Sequence, residues 1–230
     1  MTRNIITRIF ILISVLSSGL AFADVSDSAS DAEAWLEDDS EFRSLEVNEG
    51  ELVFIEPVRD KTTLHSEKEL IVTQSSLATG WVNLRQCYYH ISPVAVTDIV
   101  YRYKQIRNLT ILSTKNIGKA TTEGQVVHLH DISAQASLCV TAEVNVLEKK
   151  TADVFVISSG PYYQQFFDGY YPYHVSLKIN YPEDLIRVSH VSPPAQPLFN
   201  VLSGEHQLFI DTWFEGILTI QITFTRKVVS

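Results

Sequence analysis

His128 and His130 stand two apart in Val127-His128-Leu129-His130, and on an extended strand that spacing puts both imidazoles on one face. Two imidazoles side by side are half of a zinc or copper site. The missing ligands would have to come from His65, His90 or Asp131, and no spacing brings these to the pair. The two histidines are therefore read as solvent-facing, and no metal ligand is assigned. His174, His190 and His206 show no useful spacing either. Among the carboxylates, Asp211 with Glu215, or Glu183 with Asp184, offers half of the acid/base pair that glycan hydrolysis needs. Glu183-Asp184, however, follows Tyr181-Pro182 in an expected turn, and Asp211 is read as an Asx-type turn residue at the end of a strand. The chain has no His-Glu-x-x-His, no Gly-x-Ser-x-Gly, no glycine-rich phosphate loop and no dinucleotide fingerprint. No catalytic residue and no cofactor are assigned.

The segment 161–174 reads Pro-Tyr-Tyr-Gln-Gln-Phe-Phe-Asp-Gly-Tyr-Tyr-Pro-Tyr-His, and half of its residues are aromatic. Asp168-Gly169 is a turn signal, so an aromatic hairpin or a long loop is expected. In an extended segment, adjacent aromatics point to opposite sides, so the pairs Tyr162-Tyr163, Phe166-Phe167 and Tyr170-Tyr171 cannot all enter one core. Tyr and Phe offer contact area at low entropy cost. Tyr162, Tyr163, Phe166, Phe167, Tyr170, Tyr171 and Tyr173 are accordingly read as a surface for a protein partner. Two other readings stay open: packing over a junction between two domains, and a glycan platform.

Cys87 and Cys139 are the only cysteines. An even pair in an exported chain predicts a disulfide, worth about 4 kcal/mol in the chain-entropy model. Alternation adds a phase: if Leu138 and Val140 face the core, Cys139 faces away, and Cys87 likewise opposes Val82 and Leu84. The bridge is expected on the outer side of a sheet or at its edge.

These groups must be positioned by strands. From Glu51 onward, short apolar runs rich in β-branched and aromatic residues alternate with polar breaks. The cleanest period of two runs through Leu138, Val140, Ala142, Val144 and Val146, and again through Leu218, Ile220, Ile222 and Phe224. Residues 99–106 are read as a further strand. A faint correspondence at an offset of about 80 aligns Val127 to Asp131 with Gln207 to Asp211, and Leu138 with Leu218. The expectation is an all-β chain with tandem immunoglobulin-like β-sandwich domains, 50–149 and 150–230.

Before them, residues 1–23 read as a signal peptide: Arg3 and Arg8, the apolar run Ile9 to Leu16, and Ala21-Phe22-Ala23 as a cleavage site. Residues 24–49 read as an acidic disordered leader. Eleven acids and one base fall within 24–51, so this stretch carries −10 against the chain's net −9 and the body is nearly neutral. Nothing basic enough for a nucleic-acid partner is present, and after the signal no apolar run reaches the roughly 20 residues of a membrane-spanning helix. The expected protein is periplasmic or secreted, a non-enzymatic binding or assembly protein of the cell envelope that meets a protein partner through its aromatic loop. The alternative is a secreted glycan-binding module, or an enzyme acting on wall polymer or glycan with strand-borne carboxylates.

Overall fold

Alternation through Leu138, Val140, Ala142 and Val144 becomes the C-terminal half of the longest strand among the described residues. The computed structural model describes residues 48–58 and 63–227; the expected signal peptide and all but the last two residues of the acidic leader lie outside the described residues. Strands β1 (Val53–Phe54), β2 (His65–Ile71), β3 (Trp81–Ile91), β4 (Val96–Val100), β5 (Ile106–Glu123) and β6 (Val126–Asn145) come first. They are followed by β7 (Leu147–Lys149), β8 (Val154–Tyr162), β9 (Gln165–Phe166), β10 (Gly169–Tyr170) and β11 (Tyr173–Asn180). The last are β12 (Ile186–Ser192), β13 (Phe199–Ser203), β14 (Gln207–Glu215) and β15 (Leu218–Arg226). Among the described residues one helical turn, α1 (Ser76–Thr79), links β2 to β3 and ends on Gly80, whose φ of +77° suits a residue without a Cβ.

A nine-stranded sheet runs β1-β14-β11-β2-β3-β6-β4, with β13 added along β14 and β5 along β6. A four-stranded sheet runs β12-β15-β8-β7. Among the described residues all pairings are antiparallel except β2 with β11. β6 is shared lengthwise: β4 pairs with its first residues, β3 with its second half, and β5 with nearly its whole length. The β5–β6 hairpin turns at Gly124-Gln125, where Gly124 takes φ +57°. The inner faces of the two sheets meet in one apolar cluster. Val82, Leu84, Leu138, Val140, Leu177 and Ile210 come from the larger sheet, and Phe155, Ile157, Ile220, Ile222 and Phe224 from the smaller. Each of these is almost wholly buried, and burying one such side chain stabilises by about 1.5–3 kcal/mol.

The all-β sandwich is as expected, but the tandem division is corrected. The boundary at 149/150 falls between β7 and β8, which pair with each other. Strands from the first expected domain also share the large sheet with strands from the second: β2 pairs with β11, and β1 with β14. The described residues fall within one compact unit. The offset of 80 is likewise not a structural repeat. Leu138 continues the strand that holds Asp131, whereas Leu218 opens β15 in the other sheet. The expected strand over 99–106 is interrupted, because β4 ends at Val100 and the chain leaves the ladder until Ile106.

Cys87 and Cys139 are disulfide-bonded and stand directly opposite one another on β3 and β6. Their strand neighbours Gln86, Leu138 and Val140 point into the molecule, so the bridge lies on the outer face, in the expected phase. Cys87 is nonetheless only 1% exposed, although it lies outside the apolar cluster. A disulfide is consistent with an oxidising compartment. Among the described residues, no helix is long and apolar enough to cross a membrane.

Candidate functional site

The aromatic segment folds as a hairpin on a stem. β8 delivers it, β9 and β10 pair across its tip, and β11 carries the chain back into the large sheet. Phe166 pairs with Gly169, so the turn is Phe167-Asp168 rather than Asp168-Gly169. Gly169 instead opens β10 with φ +134°, a backbone conformation that side chains disfavour. That shift of one residue puts Phe167 at the apex, fully exposed at 113% of its reference surface. Phe166, Tyr163 and Tyr171 are exposed below it. Phe166 meets Tyr171 edge-on, with ring centroids 5.2 Å apart and planes at 89°, and Tyr163 meets Tyr170 at 6.2 Å. The Tyr171 hydroxyl donates to Asp168 Oδ2 at 2.5 Å, and that bond holds the phenol above its ordinary pKa. Tyr170 is half-buried because residues 48–50 strap it down: its N–H donates to Asn48 O at 3.1 Å, and its ring lies against Gly50.

Tyr162 and Tyr173 do not belong to that surface. Each is 5% exposed, which corrects their assignment as partner contacts. The period of two along β11 turns Tyr173 inward, and on β8 a bulge opposite Leu218–Ile220 shifts the phase after Ser159 and turns Tyr162 inward, so the two rings meet edge-on at 6.3 Å. There they form part of the wall of a cavity of about 540 Å³, together with Tyr88, Tyr101, Tyr103, Gln86 and Lys68. Lys68 is the unusual member. On β2, the residues Ser66, Lys68 and Leu70 point inward, and Lys68 is 5% exposed. Its Nζ donates to Ser159 Oγ at 3.2 Å, and Ser159 in turn shares a 2.6 Å hydrogen bond with the Tyr162 hydroxyl. The ammonium also lies 4.8 Å from the centre of the Tyr162 ring and 5.7 Å from that of Tyr103. Burial by itself pushes the Lys68 pKa down, but its interactions with Tyr103 and Tyr162 outweigh this and leave it above the ordinary lysine value. Burial likewise raises the phenols of Tyr88, Tyr101 and Tyr173, so these hydroxyls are neutral at physiological pH.

A third cluster lies on the outer face of the large sheet, where β14, β11, β2 and β3 run side by side. Trp213, His174, His65 and Tyr89 form a row of rings across these strands, with successive centroids 4.4, 3.9 and 5.5 Å apart. Asp211 accepts from His174 Nε2 at 2.9 Å and from Ser176 Oγ at 2.6 Å. Ser176 also bonds His65 Nε2 at 2.9 Å. Serine, two histidines and an aspartate within reach of one another invite comparison with a nucleophile and its base, but the hydrogen bonds run the other way. Ser176 gives its proton to Asp211, so His65 must donate to Ser176 rather than accept from it. Burial works against the Asp211 charge, and the bonds from His174 and Ser176 outweigh it, holding the carboxyl below its usual value. Burial and the stacked His174 push His65 down to about 4. Asp211 thus sits mid-strand in β14 and not in the turn expected for it.

His128 and His130 do face outward, between the buried Val127 and Leu129. His128 Nδ1 lies 2.7 Å from Asp98 Oδ1. Among the described residues, no group of three histidine, cysteine, aspartate or glutamate side chains could hold a metal ion. The sequence reading missed Lys68 and the tyrosines of 88–103. The available signal was the phase of His65 to Ile71: with Leu70 inward, a period of two takes Lys68 inward too.

No protein-family model matches the chain, and no curated protein does. Among solved structures, the chain is similar to an M1 zinc metallopeptidase from Deinococcus radiodurans. A mutant of that enzyme bound to a Tyr-Ser-Ala substrate matches at 10% identity and a TM-score of 0.39, over 74% of this chain and 44% of the other. A second structure of the same mutant gives 9% and 0.40, over 74% and 44%, and the enzyme itself 9% and 0.38, over 78% and 43%. This chain spans less than half the length of those chains, and a likeness of this size carries no functional weight.

Proposed function

We propose that this is a non-enzymatic, exported binding or assembly protein of the cell envelope that grips a protein partner with the tip of its aromatic hairpin. The observation that carries the reading is Phe167, fully solvated at the apex of a braced two-strand tip. A large apolar side chain held in water by an ordered turn gains free energy when a partner covers it, and aromatic anchors dominate protein interfaces. The perpendicular Phe166–Tyr171 pair leaves no flat platform of coplanar rings, which favours a protein over a glycan as the partner. The disulfide supports export, because such bonds persist in oxidising compartments.

The test places a photo-crosslinking amino acid at position 167 and, as a control, at the exposed Leu112 position on β5, in cells that make the protein naturally. One adduct of defined mass from position 167, absent from position 112 and lost with Phe166→Ser, is the expected result. Equal adducts from both positions would overturn the proposal, as would flotation of the wild type, but not Phe167→Ser, with phosphatidylglycerol-containing vesicles.

A further inference from the structure

We propose that the tyrosine-walled cavity is a binding site for a small carboxylate ligand, with Lys68 as its counter-charge. This stands apart from the hairpin reading, since the cavity lies at the inward-facing base of the segment and not at its tip.

The starting point is a buried ammonium without an opposite charge beside it. Removing an ammonium from water costs several kcal/mol unless an opposite charge and hydrogen bonds replace the lost solvation. Lys68 makes no ion pair among the described residues; its surroundings are the Ser159 hydroxyl and the rings of Tyr103 and Tyr162. The two carboxylates of the cavity wall are committed elsewhere. Asp98 bonds His128 at 2.7 Å, while Glu148 bonds Lys150 at 2.6 Å and Lys104 at 3.4 Å. A second unmet group points to the same place. Tyr101 is one of the residues that line the cavity, and its hydroxyl is buried with no hydrogen-bond partner among the described residues; it interacts with the Tyr88 phenol without reaching hydrogen-bond geometry. A buried donor left unmade costs about 1–3 kcal/mol. One cation and one free phenolic donor together match a group that is negative and accepts hydrogen bonds.

The chemistry narrows further. A carboxylate brings one charge, which Lys68 answers alone. Phosphate would bring up to two, and the buried part of this cavity offers neither an arginine fork nor the N-terminus of a helix to meet the second. The volume is that of a small-molecule site. Phenol rings on most sides suit a ring-shaped body that carries the carboxylate, either an aromatic acid or a sugar acid. Arg102, exposed at the mouth and without an ion pair among the described residues, gives the entrance the matching sign.

The experiment is titration calorimetry on the full chain with sodium benzoate and sodium glucuronate. Their uncharged counterparts, benzyl alcohol and glucose, serve as controls. At least one carboxylate should bind more than tenfold tighter than its counterpart, and which one binds distinguishes an aromatic acid from a sugar acid. Lys68→Met keeps the length of the side chain and removes its charge. It should weaken the carboxylate roughly 10- to 100-fold, the loss expected for one charged hydrogen bond. Tyr101→Phe and Tyr103→Phe, which remove only hydroxyls, should each weaken it a few-fold while leaving the circular dichroism spectrum unchanged. These two variants decide the matter if Lys68→Met does not fold. The proposal fails if neither carboxylate binds at millimolar concentration, or if the variants bind as the wild type does.

Discussion

Between Pro161 and His174 one stretch of chain meets two environments. Tyr162 and Tyr173 are sealed into the wall of a cavity, while Phe166, Phe167 and Tyr171 stand in water a few residues away. Composition does not separate them, since both groups are phenyl or phenol rings. Phase does. A bulge in β8 carries Tyr162 inward, the period of two carries Tyr173 inward on β11, and the turn at Phe167-Asp168 holds Phe166, Phe167 and Tyr171 out in solvent. Burial of the first group serves stability and shapes a site; exposure of the second serves contact. The same division runs through the large sheet, with Lys68 on its inner face and the His65–His174–Asp211 cluster on its outer one.

The sharpest way to break this comparison is to truncate one ring of each kind. Tyr173→Ala removes a buried ring that touches Tyr162 and Phe214, and should cost about 3–5 kcal/mol in urea denaturation. Tyr171→Ala should cost less than about 1 kcal/mol. Equal losses would mean that the outer rings are packed, and the division would collapse.

Next comes the disulfide, which lies on the outer face. Cys87→Ser with Cys139→Ser should cost about 2–4 kcal/mol, because the bond closes 52 residues of chain. The loss should come without the extra dye binding that an opened core produces. Marked dye binding by the double variant would show that the bridge supports the core itself.

Acid provides a third measurement. The folded-state value of His65, about 4, lies below its ordinary value of 6.5. Between these limits the unfolded chain binds the additional proton, so stability should fall as pH drops from 6.5 to 4. His174 and His90 oppose that proton and Asp211 favours it. Allowing for the partial exposure of the ring, the loss is about 1–2 kcal/mol, and His65→Gln should abolish it. An unchanged urea midpoint across this range would show that His65 titrates normally. The smallest effect belongs to the apex: Phe167→Ser should leave stability within about 0.5 kcal/mol of the wild type while abolishing the position-specific crosslink. A larger change would tie the apex to the fold.

Much of the sandwich was legible in the sequence, because strands that bury apolar side chains on one face announce themselves. Leu138 to Val144 and Leu218 to Phe224 do so, although Val146 lies past the end of β6, and the same phase placed the disulfide and His128 correctly. β2 was harder to read. Its inward positions include Ser66 and Lys68, so half of its buried face looks solvated. The cavity depends on that strand and on tyrosines from 88 to 173 in the sequence, and no local pattern links them. The tandem division failed for a related reason. Strand patterns report which face is buried but not which edge is paired, and the pairing of β2 with β11 is an edge property. The hairpin was foreseen, but its turn was placed one residue late, because Gly169 served the first position of a strand instead of the turn.

The pairing of β2 with β11 also orders events in time. β3 and β6 are separated by β4 and β5 alone and can meet while the chain is still being made, yet the parallel partner of β2 lies more than a hundred residues downstream. Closing so long a loop is slow. Until β11 arrives, the edge of β2 presents unpaired backbone groups beside Lys68. A nascent or truncated chain that stops before residue 173 therefore lacks the strand that covers this edge, and the sheet is completed only by the last third of the protein.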